Sequence, residues 1–137
     1  MNPKTEQLRQ RTHRFFMRVI ALCGSLPGCP AACSISGQLL DSSGSTDSNY
    51  RAACRARSRK EFIAKLGVVI EEADESMGWL ESLRDRKLGD LDELRALIKE
   101  ADELIAIFVA SRKTAEANEQ EAERCRAAAK AATRHRR

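Results

Sequence analysis

The chain has 137 residues, 42% hydrophobic and 32% charged, with 4% aromatics, seven glycines and three prolines. That length supports one domain with a sizeable core, and because Pro3, Pro27 and Pro30 all fall in the first quarter, the remainder favours long helices. Five cysteines at irregular spacing, an odd number without a CxxC pair, exclude a secreted disulfide framework and read as small buried thiols in a reducing cytoplasm. No stretch is long enough to span a membrane.

The net charge of +4 divides into three segments. Residues 1–65 carry eleven Lys/Arg against four Asp/Glu, residues 66–123 carry seven against sixteen, and residues 124–137 carry six with no acid. Basic segments flanking an acidic one suit contacts between copies as well as contact with polyanions, so the overall basicity does not by itself specify nucleic acid.

In chain order, Leu8, Thr12, Phe15, Val19, Leu22 and Leu26 alternate spacings of four and three, which predicts a first helix capped by Asn2 with Pro3 in its first turn. "RFFMRVIALCGSLPGC" also resembles a lipoprotein signal, but Arg18 interrupts the apolar run and Pro27 sits beside the cleavage position, so the helix is preferred. "LPGCP" ends it. The next stretch runs through Ile35, Leu39, Ser42, Thr46, Asn49, Ala53 and Ala56, with small side chains in its middle. As a linker, Ser-Ser-Gly-Ser-Thr is unremarkable; as a helix it lets a neighbouring backbone approach, with Gly44 costing about 1 kcal/mol relative to Ala. Propensity favours the linker, whereas closing a core around three long stripes needs a fourth helix.

Ser58 and Glu61 form a capping box before a stripe of Phe62, Leu66, Val69, Ala73, Met77, Leu80 and Leu83. Gly89 is placed to end that helix in a left-handed conformation. Asp90 and Glu93 supply a second box for a stripe of Leu94, Ile98, Ala101, Ile105, Phe108 and Arg112, apolar up to Phe108. The two helices are expected to form an antiparallel hairpin, each roughly 30 Å long at 1.5 Å per residue. Residues 115–137 have high helix propensity without an apolar stripe. They are a charged C-terminal extension of a domain over 1–114, either helical or disordered.

"GQLLDSSGSTDSNYRAACRARSRKEFIAKLGVVIEEADESMGWLE" resembles the central block of the four-helix-bundle proteins of the 23S ribosomal RNA intervening-sequence family. The shared pattern is a Q-L start, a small-residue segment, the N-Y-x-x-A element at Asn49 to Ala53, a basic turn, and S-x-x-E-F at Ser58 to Phe62 before an acidic-apolar helix. The resemblance covers roughly residues 5–115. It implies an all-α, left-handed up-down four-helix bundle in which the serine-rich stretch is the second helix, with a local bend. Members of that family are similar to the accessory protein of diversity-generating retroelements, and proteins of this fold associate as five-fold rings with a basic surface suited to RNA or to a reverse transcriptase. No enzymatic activity is assigned to the family. The chain departs from its pattern at "CRARSR", where glycine is common, and at Asp47, where a small or apolar residue is.

Arg51, Arg55, Arg57, Arg59 and Lys60 place five cations within ten residues that hold no acid, a composition suited to salt-dependent, sequence-independent phosphate binding. A solvated helix end, or an inter-subunit salt-bridge set with the acidic helix, is the alternative use. Arg124, Arg126, Lys130, Arg134, Arg136 and Arg137 add phosphate contacts or act only to solubilise the tail. Glu71, Glu72, Asp74 and Glu75 read as a charged outer face answering the basic segment of another copy. They lack the Glu-x-x-His elements of a metal bundle. With only His13 and His135, no Gly-rich phosphate loop and no exposed aromatic set for stacking bases, the residues present no catalytic, metal or cofactor constellation. The expected protein is a cytoplasmic, non-enzymatic homo-oligomer, a pentamer by resemblance, that offers a basic surface to RNA or DNA and possesses no membrane partner. A protein-binding scaffold whose charges serve assembly alone is the alternative.

Overall fold

The computed structural model describes residues 2–137, and these form four helices: α1 (Pro3–Gly24), α2 (Pro30–Cys54), α3 (Arg59–Asp85) and α4 (Leu91–His135). The serine-rich stretch is therefore helical, within α2. Each start has a local cause. Asn2 Oδ1 accepts the Lys4 N–H at 2.8 Å ahead of Pro3, Pro30 occupies the first turn of α2, and Ser58 Oγ accepts the Glu61 N–H at 3.1 Å. The Glu61 carboxylate reaches back to the Arg57 N–H at 2.8 Å, one residue beyond the ordinary capping-box partner.

Two boundary expectations are corrected. α3 ends in a Schellman turn, with Leu88 N–H donating to the Leu83 carbonyl at 2.9 Å and Lys87 N–H to the Arg84 carbonyl at 3.0 Å. Lys87, not Gly89, holds the left-handed position, at φ 57°. Gly89 follows at φ 102°, where an added Cβ would stand 2.7 Å from Leu26 Cδ2. At the start of α4, Asp90 Oδ1 accepts the Asp92 N–H at 3.3 Å, while Glu93 turns away to bind Arg18 Nε at 3.1 Å. A cross-helix cation competes with the reciprocal cap and wins Glu93.

Cross-helix pairs define the packing. Along α1, Arg11 binds Glu100 and Glu103 of α4 at 2.6 and 2.7 Å, and Arg18, further along, binds the earlier Glu93, so these helices are antiparallel. His13 pairs with Asp47 at 2.8 Å while Phe16 lies on Gly44, reversing α1 against α2 in the same way. Each helix packs on its chain neighbours and α1 closes on α4, giving an up-down bundle around one core. Phe15, Val19, Leu39, Leu66, Leu80 and Phe108 lie within it, essentially without solvent exposure.

The rows that face the core differ in part from those expected. α4 buries Leu94, Leu97, Ala101, Leu104 and Phe108, leaving Ile98 and Ile105 half-buried at the seam's edge. α3 buries Ser76 where Met77 was expected, and α2 buries Tyr50 where Asn49 was. Buried hydroxyls satisfy themselves locally: Ser43 Oγ donates to the Leu39 carbonyl at 2.6 Å and Thr46 Oγ1 to the Ser42 carbonyl at 2.8 Å. Ser76 Oγ stands 2.9 Å from Ser42 Oγ, a polar link between α3 and α2 inside the core. The Tyr50 and Phe108 rings meet tilted, centroids 5.2 Å apart.

α4, at 45 residues, extends about 67 Å, against about 40 Å for the 27 residues of α3. Its last buried residue is Ala115. The remainder stands past the bundle as a helical arm.

Candidate nucleic-acid interface

The up-down topology brings the end of α2, the start of α3 and the arm of α4 to one end of the bundle. Sequence positions about sixty residues apart meet there. Arg59 Nη1 donates to Glu119 Oε2 at 3.1 Å and to the Asn118 carbonyl at 3.4 Å, and Lys60 Nζ lies 3.6 Å from Glu123. Glu119 also accepts from Arg126 at 3.1 Å, so one carboxylate, 14% exposed, is shared between two guanidinium groups. Burial opposes its ionisation, but the hydrogen bonds from Arg126 and Arg59 prevail and hold the carboxyl below its ordinary range.

The eleven basic residues singled out in the sequence thus divide. Arg59, Lys60, Arg124 and Arg126 have carboxylate partners within the chain, Arg124 pairing with Glu121 at 2.8 Å. Arg51, Arg55, Arg57, Lys130, Arg134, Arg136 and Arg137 have no ion-pair partner among the described residues. Arg51, Arg55 and Arg57 surround one shallow depression with Ser48 and Glu61, whose carboxylate is engaged as the α3 cap. Lys130, Arg134 and Arg137 line another on the arm. Arg9, which sequence reasoning missed, borders the first group beside Arg51 and Arg55, held by a two-pronged bond to Glu6 at 2.7 and 3.2 Å. The signal available was the Glu6–Arg9 spacing of three on one helix.

The arm's direction follows from helical phase. The core-facing row Leu94, Leu97, Ala101, Leu104, Phe108 and Ala115 continues at the same three-and-four spacing through Glu119, Ala122, Arg126 and Lys130. The stripe that is apolar inside the bundle becomes charged beyond it, carrying the Glu119–Arg126 pair and then Lys130. It lies above the end where Arg57 and Arg59 stand.

The acidic residues Glu71, Glu72, Asp74 and Glu75 lie along the outer side of α3. None has an ion-pair partner among the described residues; Glu75 accepts from Trp79 Nε1 at 3.4 Å. Glu72 is half-buried, and desolvation, then Glu75 and Glu71, push its carboxyl above the ordinary value.

Of the groups with nucleophilic chemistry, the half-buried Cys23 and Cys54 thiols are pushed up by burial, away from the thiolate form. His13 and Asp47 form a surface pair, with the imidazole side chain 53% exposed. Asp47, a departure from the pattern at mid-helix, is thereby used across the α1–α2 seam. No described helix is long and apolar enough to cross a membrane.

Residues 4–110 match the family model described as 23S rRNA-intervening sequence protein. The chain belongs to that family. The crystal structure of a protein of unknown function from the S23 ribosomal protein family of Bacteroides thetaiotaomicron is similar at 27% identity and a TM-score of 0.72, over 80% of this chain and 98% of that one. No curated protein matches. The family match ends within α4, so the intervening-sequence pattern takes in the bundle and the Arg51 to Lys60 segment, while the basic arm lies outside it.

Proposed function

We propose that this member of the intervening-sequence family is a non-enzymatic, cytoplasmic homo-oligomer, pentameric as its resemblance implies, that presents a basic surface to RNA. The reading extends to service beside a reverse transcriptase, as for the accessory protein of diversity-generating retroelements. The observation that carries the RNA reading is the juxtaposition at one end of the bundle of Arg51, Arg55 and Arg57, without internal ion-pair partners among the described residues, with an arm bearing Lys130 and Arg134. Unpaired cations release counterions when they meet phosphates, whereas Arg59, Lys60 and Arg126 must first give up Glu119 or Glu123. The first group is therefore the main contact and the second an auxiliary one.

A generic single-stranded RNA is expected to bind with a log-log salt slope of about −0.7 per phosphate neutralised. Charge reversal of Arg51, Arg55 and Arg57 flattens that slope, and removal of 124–137 weakens binding by less, since a projecting arm gains contacts but loses freedom. Binding at several salt concentrations, with the mass of each variant checked by light scattering, tests this. Unchanged affinity in a correctly assembled triple variant overturns it. One observation favours a scaffold instead: Glu71, Glu72, Asp74 and Glu75 of α3 have no ion-pair partner among the described residues, which suits them to the basic end of another copy. On that reading, the same reversals change oligomer mass alone.

A further inference from the structure

α1 and α4 touch least of the packed helix pairs, and toward the basic end a cleft of about 1200 Å³ opens between them. Half-buried Phe62 and Ile107, with Ala53 and Ala115, form an apolar floor, and Lys4, Arg57 and Arg59 stand at its rim. A second hollow shares Lys4, Thr5, Phe62, Ile107 and Ser111 with the first and adds Arg11, Arg14 and Tyr50 to the lining. No Asp or Glu lines either part. Arg11 and Arg59 are answered by carboxylates outside the lining, whereas Lys4, Arg14 and Arg57 have no ion-pair partner among the described residues.

We propose that this cleft is a docking groove for an acidic amphipathic helix of a partner protein. Its volume exceeds the roughly 300–1,000 Å³ of small-molecule sites, and its shape follows from helix geometry. Ala106, Ala110, Thr114 and Asn118 recur every fourth residue along the α4 wall, a row of short side chains beside which the ridge of another helix can seat. That row spans about 18 Å, some three turns. An apolar floor under a rim of cations selects a helix with an apolar face flanked by carboxylates. The arm of a second copy, which stands free of its own bundle, carries six cations and no acid over 124–137 and is repelled by this rim. The groove extends the proposed function with a protein surface, overlapping the RNA-facing group at Arg57 but not at Arg51 or Arg55.

The probe is a fluorescein-labelled synthetic helix of about four turns with leucines at i, i+3, i+4 and i+7 and glutamates on the flanks; its counterpart carries lysine at every glutamate. Fluorescence polarisation against the full chain is expected to show saturable binding of the acidic helix and not of the lysine one. Affinity is expected to fall by about tenfold or more in Ala110→Trp, which fills the groove from an exposed position, and in Lys4→Glu with Arg14→Glu. Reversal of Arg51 and Arg55 leaves it unchanged. Circular dichroism checks each fold, and Ala106→Glu, also exposed, replaces Ala110→Trp if the latter loses helix content. Absence of binding, equal binding of the lysine helix, or indifference to the groove variants overturns the proposal. So does dissociation of an oligomer by Ala110→Trp, which would place a second copy in the groove.

Discussion

The Phe16 ring of α1 lies against Gly44 of α2 so closely that a Cβ at position 44 would stand 3.1 Å from Phe16 Cζ. A glycine in mid-helix, unfavourable by about 1 kcal/mol relative to alanine, is here the seat of an aromatic ring from the neighbouring helix. Gly44→Leu is expected to destabilise the bundle by about 1–3 kcal/mol through overpacking. The loss shrinks when Phe16 is also replaced by Ala, so a double-mutant cycle in urea reports a coupling that two independent sites would not give.

One residue earlier, Ser43 is fully buried and its hydroxyl is bound to the Leu39 carbonyl. Ser43→Leu adds volume where none is available and is expected to cost about 1–3 kcal/mol, more than a change at exposed Ser48. Amides from Ser42 to Ser48 should resist hydrogen exchange on the scale of those in α3. Rapid exchange there would contradict a helical α2.

At the α3–α4 turn, Lys87 holds the left-handed position that glycine fills without strain. Lys87→Gly is expected to raise stability by up to about 1 kcal/mol, whereas Gly89→Ala lowers it because the new Cβ meets Leu26. Thermal melts of the two variants should move in opposite directions. A parallel shift would mean that the turn is not built this way.

Titration separates two carboxylates. The Glu119 carboxyl is depressed, so its hold on Arg59 and Arg126 is present above the ordinary carboxylate value and is lost as pH falls through the lower folded value. Protection of the arm's amides, relative to their intrinsic exchange at each pH, should therefore fall only in acid, and Glu119→Gln should give the low protection at neutral pH. The Glu72 carboxyl is raised, chiefly by desolvation and then by Glu75 and Glu71, so its charge opposes folding at neutral pH, and the penalty shrinks as pH falls below the folded value and is gone below the ordinary carboxylate value. Glu72→Gln is expected to stabilise by about 0.2–0.5 kcal/mol at neutral pH, the scale of a like-charge pair one turn apart, and by nothing in acid.

Much of the helical layout was legible residue by residue. Asn2, Ser58 and the early prolines mark starts because an unpaired helical N–H needs a nearby acceptor or a residue without one, a demand met within a few positions of sequence. The stripes of α1 and α3 were legible for the same local reason, since one period places their apolar residues on one face. α2 was not, because Ser, Gly, Thr and Asn spend their hydroxyls and flexibility as readily in turns as in a helix. Burial of Ser42, Ser43 and Thr46 against neighbours, with each hydroxyl returned to its own backbone, is what makes the helix stable there. On α4 the Leu97–Leu104 and Ile98–Ile105 rows are both apolar, and only rotation against α1 and α3 selects the first.

The composition of the basic surface was equally local, and its chemistry was not. Arg51 to Lys60 and Arg124 to Arg137 are visible as charge runs, but whether a guanidinium faces water or Glu119 depends on which helix passes beside it. That Lys87 and not Gly89 takes the left-handed position depends on which carbonyls of α3 the Lys87 and Leu88 amides close upon. The α1–α4 cleft is a space left between side chains contributed by all four helices, and no single helix's sequence contains it. Periodicity and capping are set by interactions over a few residues and so belong to the sequence, whereas the pairing of charges and the shape of a groove depend on distances that exist only once the helices have packed.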